Sequence, residues 1–355
     1  MTPARLAKAR ALLADRGVDC LLIHSQANRM YVSGFTGSAG IAVVTELEAL
    51  LLADFRYVEQ AAAEAPGFEV IKADRQFIDT LAEVVRGRGL RRLGFESETV
   101  TVRQHREYTD RFAPAELVPL DGVDRLRWVK DADELARIEQ AVAIADAAFA
   151  HVRPFLRPGA VERDLAVDLE FFMRRSGAEK EAFETIVASG PRSALPHGRA
   201  SDRILQRGDF VTLDFGARYR GYVSDCTRTV VLGEASSRHL QVYATVLAAQ
   251  QAALSGIRPG MTGKAADGIA RTIIAEAGYG EAFGHSLGHG VGLLVHEGPS
   301  LSPREEADLE PGNVVTVEPG IYLPGWGGVR IEDLVVITED GCRSLTRAPK
   351  DLLIL

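Results

Sequence analysis

The chain has 355 residues and a mass of 38.4 kDa, more than one ordinary hydrophobic core accommodates, so two domains are expected. Hydrophobic residues make up 46% and charged residues 25%, which excludes disorder and collagen-like repeats. Forty-nine acidic residues against 41 basic ones give a net charge of −8, the wrong sign for a general nucleic-acid binder.

The N-terminal stretch Met1 to Gly17 carries Arg5, Lys8, Arg10 and Arg16 among Ala and Leu and reads as a surface helix ended by Gly17. An apolar run, Cys20 to Ile23, precedes a Gly-rich turn from Gly34 to Gly40 and two further apolar runs, Ile41 to Val44 and Ala49 to Ala53, all read as strands. Amphipathic stretches at Phe55 to Ala65 and Phe77 to Arg86 alternate with strand-like Phe68 to Ile71 and Arg92 to Phe95, the pattern of an α/β unit. Pro119 to Gly122 reads as a polar turn, and Asp131 with Glu134 forms a capping pair for a long Ala-rich helix to His151. The domain boundary is placed near residue 126, giving domains 1–126 and 127–355.

The second half has a helix at Val161 to Ser176, strands at Phe210 to Phe215 and Tyr222 to Leu232, two more helices, and strands at Val314 to Glu318 and Val329 to Ile337. This order predicts an α+β domain with a mainly antiparallel sheet, in which helix-helix-strand-strand occurs twice. No apolar run approaches the roughly 20 residues of a membrane helix. Cys20, Cys226 and Cys342 are far apart and without C-x-x-C, so neither a disulfide framework nor a thiolate zinc site is indicated. A reducing, cytoplasmic location is expected.

Four acids lie among strand-forming apolar residues: Asp214, Asp225, Glu318 and Glu332. Any one alone reads as a strand-end acid facing solvent. Together, inward-facing carboxylates repel one another and cost several kcal/mol each unless a cation compensates. The segment Gly284-His-Ser-Leu-Gly-His-Gly-Val-Gly-Leu-Leu-Val-His-Glu adds His285, His289 and His296. Four carboxylates and one imidazole suit two divalent ions, and such hard donors favour Mn, Co, Fe or Zn over Cu.

With their flanks Asp-Phe-Gly, Ser-Asp-x-Thr-Arg, Gly-His-Gly-x-Gly, Glu-Pro-Gly-Ile-Tyr and Val-Arg-Ile-Glu-Asp, the residues Asp214, Asp225, His289, Glu318 and Glu332 resemble the five-ligand set of the pita-bread metallopeptidases. Gly34-Phe-Thr-Gly-Ser-Ala-Gly and Asp54-Phe-Arg-Tyr resemble the N-terminal domain of the aminopeptidase P, prolidase and creatinase branch. The resemblance implies an α/β N-terminal domain, a catalytic domain with a curved sheet, two metal ions with Mn2+ foremost, and a homodimer. It further implies His197 and His296 as catalytic histidines, His285 as a residue lining the proline end of the cleft, and Tyr322 and Arg330 as cleft residues, Arg330 orienting a carboxylate. Glu318 is the expected proton shuttle, with Glu332 as the alternative.

Creatinase has the fold without metal, and some pita-bread proteins are non-catalytic binding modules; the retained ligands argue against both. Gly284-His-Ser-Leu-Gly also matches a nucleophile elbow. The Gly-rich, polar lead-in and the absence of a histidine after a suitable acid argue against a serine hydrolase.

The implied substrate is a peptide with proline in second position. Many prolidases carry an Arg in a His-Glu-x-Pro-Arg segment to hold the dipeptide's carboxylate, whereas here the chain reads His296-Glu-Gly-Pro-Ser300. That difference points to an Xaa-Pro aminopeptidase acting on longer peptides, with Xaa-Pro dipeptidase as the alternative.

Overall fold

In the computed structural model, which describes residues 3–74 and 76–355, the chain divides into two compact units, Met1–Arg127 and Trp128–Leu355. Met1, Thr2 and Arg75 lie outside the described residues, so the expected first helix is seen as α1 (Pro3–Arg16).

The first unit carries strands β1 (Cys20–Ile23), β2 (Ile41–Thr45), β3 (Ala49–Ala53), β4 (Glu69–Lys72), β5 (Arg92–Glu96) and β6 (Glu116–Leu120) in one sheet of order β4-β3-β2-β1-β5-β6. The hairpin pairs β1-β2 and β2-β3 are antiparallel, and the crossover pairs β1-β5, β3-β4 and β5-β6 are parallel. Helices α2 (Gln26–Ser33), α3 (Val58–Glu64), α4 (Phe77–Gly87) and α5 (Val102–Phe112) complete the unit. Leu22, Val43, Leu52 and Leu93 on the central strands pack with Leu81 and Val85 of α4 and with Tyr108 and Phe112 of α5, forming an independent apolar core. One expectation is corrected here. Pro119 and Leu120 belong to β6, not to a turn, because β6 is the sheet edge, where the missing proline N–H breaks no ladder.

The second unit opens with α6 (Ala132–Val152), whose Asp131 cap and Glu134 form the reciprocal box read from the sequence. Then follow α7 (Glu162–Arg175), β7 (Lys180–Glu181), β8 (Ile186–Ser189), β9 (Phe210–Phe215), β10 (Ala217–Tyr219), β11 (Tyr222–Val223), β12 (Cys226–Val231), α8 (Ser237–Gly256) and α9 (Gly263–Glu276). The remaining strands are β13 (Gly288–Gly290), β14 (Glu297–Leu301), β15 (Val314–Val317), β16 (Gly320–Leu323), β17 (Gly327–Arg330), β18 (Asp333–Ile337) and β19 (Cys342–Ser344). All pairings in this unit's sheets are antiparallel, as expected.

The strands form several short sheets, and the strands expected at Tyr222 to Leu232 and Val329 to Ile337 are each broken in two. The breaks fall at acids. Asp225 lies between β11 and β12, Glu318 between β15 and β16, and Glu332 between β17 and β18. At the Glu332 break the backbone bonds across to another sheet, Glu332 N donating to Thr227 O of β12 at 3.1 Å, while Glu318 N donates to Leu287 O at 2.8 Å and so extends the β13–β15 pairing by one step. Two apolar cores flank these strands, one under α8 and α9 and one under α6 and α7.

Candidate metal centre

The register of β9 on β12 places Thr227 opposite Asp214. Asp225 stands immediately before β12, and its carboxylate lines the same cavity as that of Asp214. On the neighbouring sheet, Val317 pairs with Asp333 at the ends of β15 and β18, which brings Glu318 and Glu332 to the same region. His289 is the middle residue of β13, and its neighbours are glycine for a steric reason. A Cβ at Gly288 would collide with the Thr316 carbonyl, and one at Gly290 with that of Gly298.

The five residues expected as ligands all line one cavity of about 590 Å³, together with His197, His285, His296 and Arg330. Asp225, His289 and Glu332 offer ligand atoms that lie within 4.8 Å of one another. His289 Nε2 is 3.2 Å from Glu318 Oε1 and 3.7 Å from Asp225 Oδ2. Asp214 is held by Arg330 at 2.6 Å through Oδ2, while its Oδ1 is buried without a hydrogen-bond partner. Such an orphaned carboxylate oxygen is costly unless a cation takes it.

Charge tells the same story. Burial, then the charges of Glu332, Asp214 and Glu318, push the Asp225 carboxyl well above its usual range. Burial, then Glu318 and Asp214, do the same to Glu332, and burial raises Asp214 despite Arg330. Glu318 goes the other way: burial opposes ionisation, but the hydrogen bond and charge of His289, with His285 and Arg330, hold it at about 2. His289 is raised correspondingly, against its own desolvation, by Glu318. Four carboxylates thus share one permanent cation, Arg330, and the donor set fits divalent metal ions.

Tyr322 and Arg330 are more deeply built in than expected. Arg330 Nη1 donates to Tyr322 Oη at 2.8 Å and to Pro196 O at 3.1 Å, and its Nε to Thr227 Oγ1 at 3.0 Å. Tyr322 Oη also lies 2.8 Å from His285 Nε2, and burial raises its phenol to about 12. His296 packs on His289 with ring centroids 4.2 Å apart, and burial followed by the charge of His289 lowers its pKa. His197 and His296 are both exposed on the cavity wall.

Three residues that the motif reading did not single out hold the site together. Thr227 donates to Glu332 Oε2 at 2.7 Å. Thr316 accepts from His289 N and donates to Glu318 Oε1, each at 3.0 Å. Arg228, fully buried, bonds Asp333 at 2.8 Å and the carbonyl of Glu332, fixing the chain beside that acid. The positions of Thr227 and Thr316, two residues from Asp225 and Glu318, were the available signal, and Arg228 had none of that kind. Ser286, the residue of the elbow-like motif, is preceded by no strand, since the segment before it is α9 and a single turn of 3-10 helix.

A buried cluster of acids and one imidazole, opening on a cleft, defines a metal-dependent hydrolase. The sequence matches the model of metallopeptidase family M24 over residues 136–339 and that of the creatinase/prolidase N-terminal domain over residues 5–129. The chain belongs to metallopeptidase family M24, in its branch of proline-directed peptidases with a pita-bread catalytic domain. It is 41% identical to an Xaa-Pro dipeptidase of Pyrococcus furiosus, covering 98% of this chain and 99% of the relative. Among solved structures it superposes on an Xaa-Pro dipeptidase from Bacillus anthracis with a TM-score of 0.96 at 46% identity, covering 99% of both chains. An X-Pro aminopeptidase from Thermotoga maritima superposes with a TM-score of 0.89 at 44% identity, covering 96% of this chain and 99% of that one. Among the described residues no helix is long and apolar enough to cross a membrane.

Proposed function

We propose that this protein is a two-metal Xaa-Pro dipeptidase, with Mn2+ as the ion its carboxylate-rich donors favour and Co2+, Zn2+ or Fe2+ as substitutes. The observation that carries the metal reading is the convergence of Asp214, Asp225, His289, Glu318 and Glu332 on one cavity, with Asp214 Oδ1 left unpartnered. Dipeptides are preferred over longer peptides because the P. furiosus and B. anthracis relatives, similar over nearly the whole chain, carry the dipeptidase name. This replaces the aminopeptidase reading drawn from Ser300.

Bound divalent ions would make water acidic enough to attack a peptide carbonyl near neutral pH. Asp214, Asp225, His289, Glu318 and Glu332 would hold them. Glu318, kept ionised and facing the cavity, takes the proton released by the attacking water and delivers it to the proline nitrogen as the C–N bond breaks. Glu332 is less suited because it is 2% exposed, whereas the Glu318 side chain is 15% exposed to the cavity. His197 and His296 stand on the wall of the same cavity and donate hydrogen bonds to the carbonyl oxygen as it gains charge. His285, backed by Tyr322, faces the proline ring, and Arg330 fixes Asp214. The reading carries with it a homodimer in the cytoplasm.

The test is hydrolysis of alanyl-proline and alanyl-prolyl-alanine by Mn-loaded protein whose metal content is measured. Higher kcat/KM on the dipeptide is expected. A higher value on the tripeptide restores the aminopeptidase reading, and cleavage of neither removes both.

A further inference from the structure

A dipeptidase must hold the free carboxylate that an Xaa-Pro dipeptide carries and a longer peptide lacks at that point. A cation is the natural partner, and bidentate guanidinium pairing is its strongest form. The place where the sequence suggests one is closed to it. Ser300 lines the cavity, but its Oγ donates to Glu305 Oε2 at 3.1 Å and its N–H to the same oxygen at 3.4 Å, so an anion already backs that position. Arg304 is exposed and is not part of the cavity wall. Arg330 lines the cavity, but its guanidinium is committed to Asp214, Tyr322, Thr227 and Pro196.

Arg199 also lines the cavity. Its side chain is 77% exposed, and Nε lies 2.9 Å from Oε2 of Glu184, itself 59% exposed and also on the cavity wall. The two Nη groups have no partner among the described residues. The base of the residue, by contrast, is anchored: its carbonyl accepts from Arg192 Nη2 at 2.6 Å. Arg192 in turn pairs with Glu162, a fully buried carboxylate that also accepts from Ser189 N at 2.8 Å and Ser201 Oγ at 2.7 Å. A rigid loop thus presents a free guanidinium fork at the cleft. An exposed ion pair such as Arg199–Glu184 contributes little by itself, so its stability value does not account for a cation placed there.

We propose that Arg199 receives the free carboxylate of an Xaa-Pro dipeptide, Glu184 keeping the Nε edge in place and leaving the two Nη groups for the substrate. This rests on the dipeptidase reading and names the residue that confers it. An Arg at 199 supplies the charge that Ser300 does not.

The test compares alanyl-proline with alanyl-prolinamide, which differ only in that carboxylate, on Mn-loaded wild type, R199Q and R199K. Wild type should favour the acid by about tenfold in kcat/KM, the share of one charge-assisted hydrogen bond. R199Q should bring the acid-to-amide ratio near one, mainly through a higher KM for the acid, with R199K in between. Circular dichroism and thermal melting of each variant establish that it is folded, as the exposure of the side chain leads one to expect. A ratio that R199Q leaves unchanged, or a wild type indifferent to the carboxylate, overturns the proposal while leaving dipeptide cleavage intact. If wild type cuts neither compound, the dipeptidase reading itself fails. Calorimetric binding of alanyl-proline then decides Arg199: about tenfold weaker binding by R199Q supports it, and equal binding overturns it.

Discussion

Asp225 and Glu332 are 5% and 2% exposed, and each lies in the field of the other and of Glu318. Without a compensating cation such a pair opposes folding, and with one it becomes a ligand pair. D225N should therefore raise the thermal midpoint of chelator-treated protein by a few degrees, since about 1 kcal/mol shifts a unit of this size by ~2–4 °C. The same variant should lose the rise in midpoint that Mn2+ gives wild type, an effect worth about 2.7 kcal/mol at a hundredfold excess over Kd. Thermal melts with and without Mn2+ check both halves, and a D225N protein that still gains stability from Mn2+ would remove Asp225 from the ligand set. Alanine at Asp214, His289 or Glu318 should lower hydrolysis at least about a hundredfold, the upper range for losing a mere supporting partner, while circular dichroism stays that of the wild type. The acids were legible because their flanks are unusual for buried strands. Thr227 and Thr316 were not, since a threonine in a strand is ordinary and only the register shows that its hydroxyl meets a carboxylate.

Between elements, the ends of strands matter as much as their middles. His24 follows β1 directly, and its Nε2 lies 2.7 Å from Tyr108 Oη on α5, tying the sheet to that helix. Burial holds the imidazole at about 4, below the 6.5 of a free side chain. Between those values the unfolded chain takes up a proton that the folded one refuses, so the contribution to stability is whole above pH 6.5 and is lost as pH falls toward 4. Histidine NMR should find one imidazole with a midpoint near 4, absent in H24Q, and H24Q should melt with a flatter pH dependence over that window. A His24 midpoint above 6 would contradict the contact. Neither α2 nor α5 was read from the sequence, for different reasons. In α2 the polar Asn28 and Arg29 are buried, Arg29 bonding the carbonyls of Gly37 and Gly40, so the apolar stripe that marks a helix is missing. For α5 the capping box Thr101 with Gln104 was present in the sequence but preceded no clear apolar run. The strands β1 to β5 and the helices α4, α6 and α7 were legible because period, caps and flanking glycines agree there.

At the scale of the molecule, the two units carry separate cores, and every residue assigned to the metal centre lies in the second. The division follows from where the chemistry can be built. The first unit's strands β2 and β3 are rich in Leu and Val, and its buried acid Glu96, at the end of β5, stands by itself and is satisfied by His24 N, Ser25 N and Asn28 Nδ2, whereas the second unit breaks its strands at Asp225, Glu318 and Glu332, whose carboxylates meet in one cavity. Those breaks are also where the sheets depend on the ligands, since Glu332 N ties its segment to β12 of another sheet and Glu318 N makes the last bond of the β13–β15 pairing. Removing a cation from between the carboxylates therefore loosens the joints and not the strand centres. Local opening of this kind is read by amide hydrogen exchange. Chelator treatment should speed exchange at residues 225–227, 287–290, 316–318 and 330–333, restore it on Mn2+ addition, and leave β1, β2 and β3 at their original rates. Uniform acceleration across both units would show that the cation supports the whole fold, and no acceleration in the four segments would show that it does not sit between these acids.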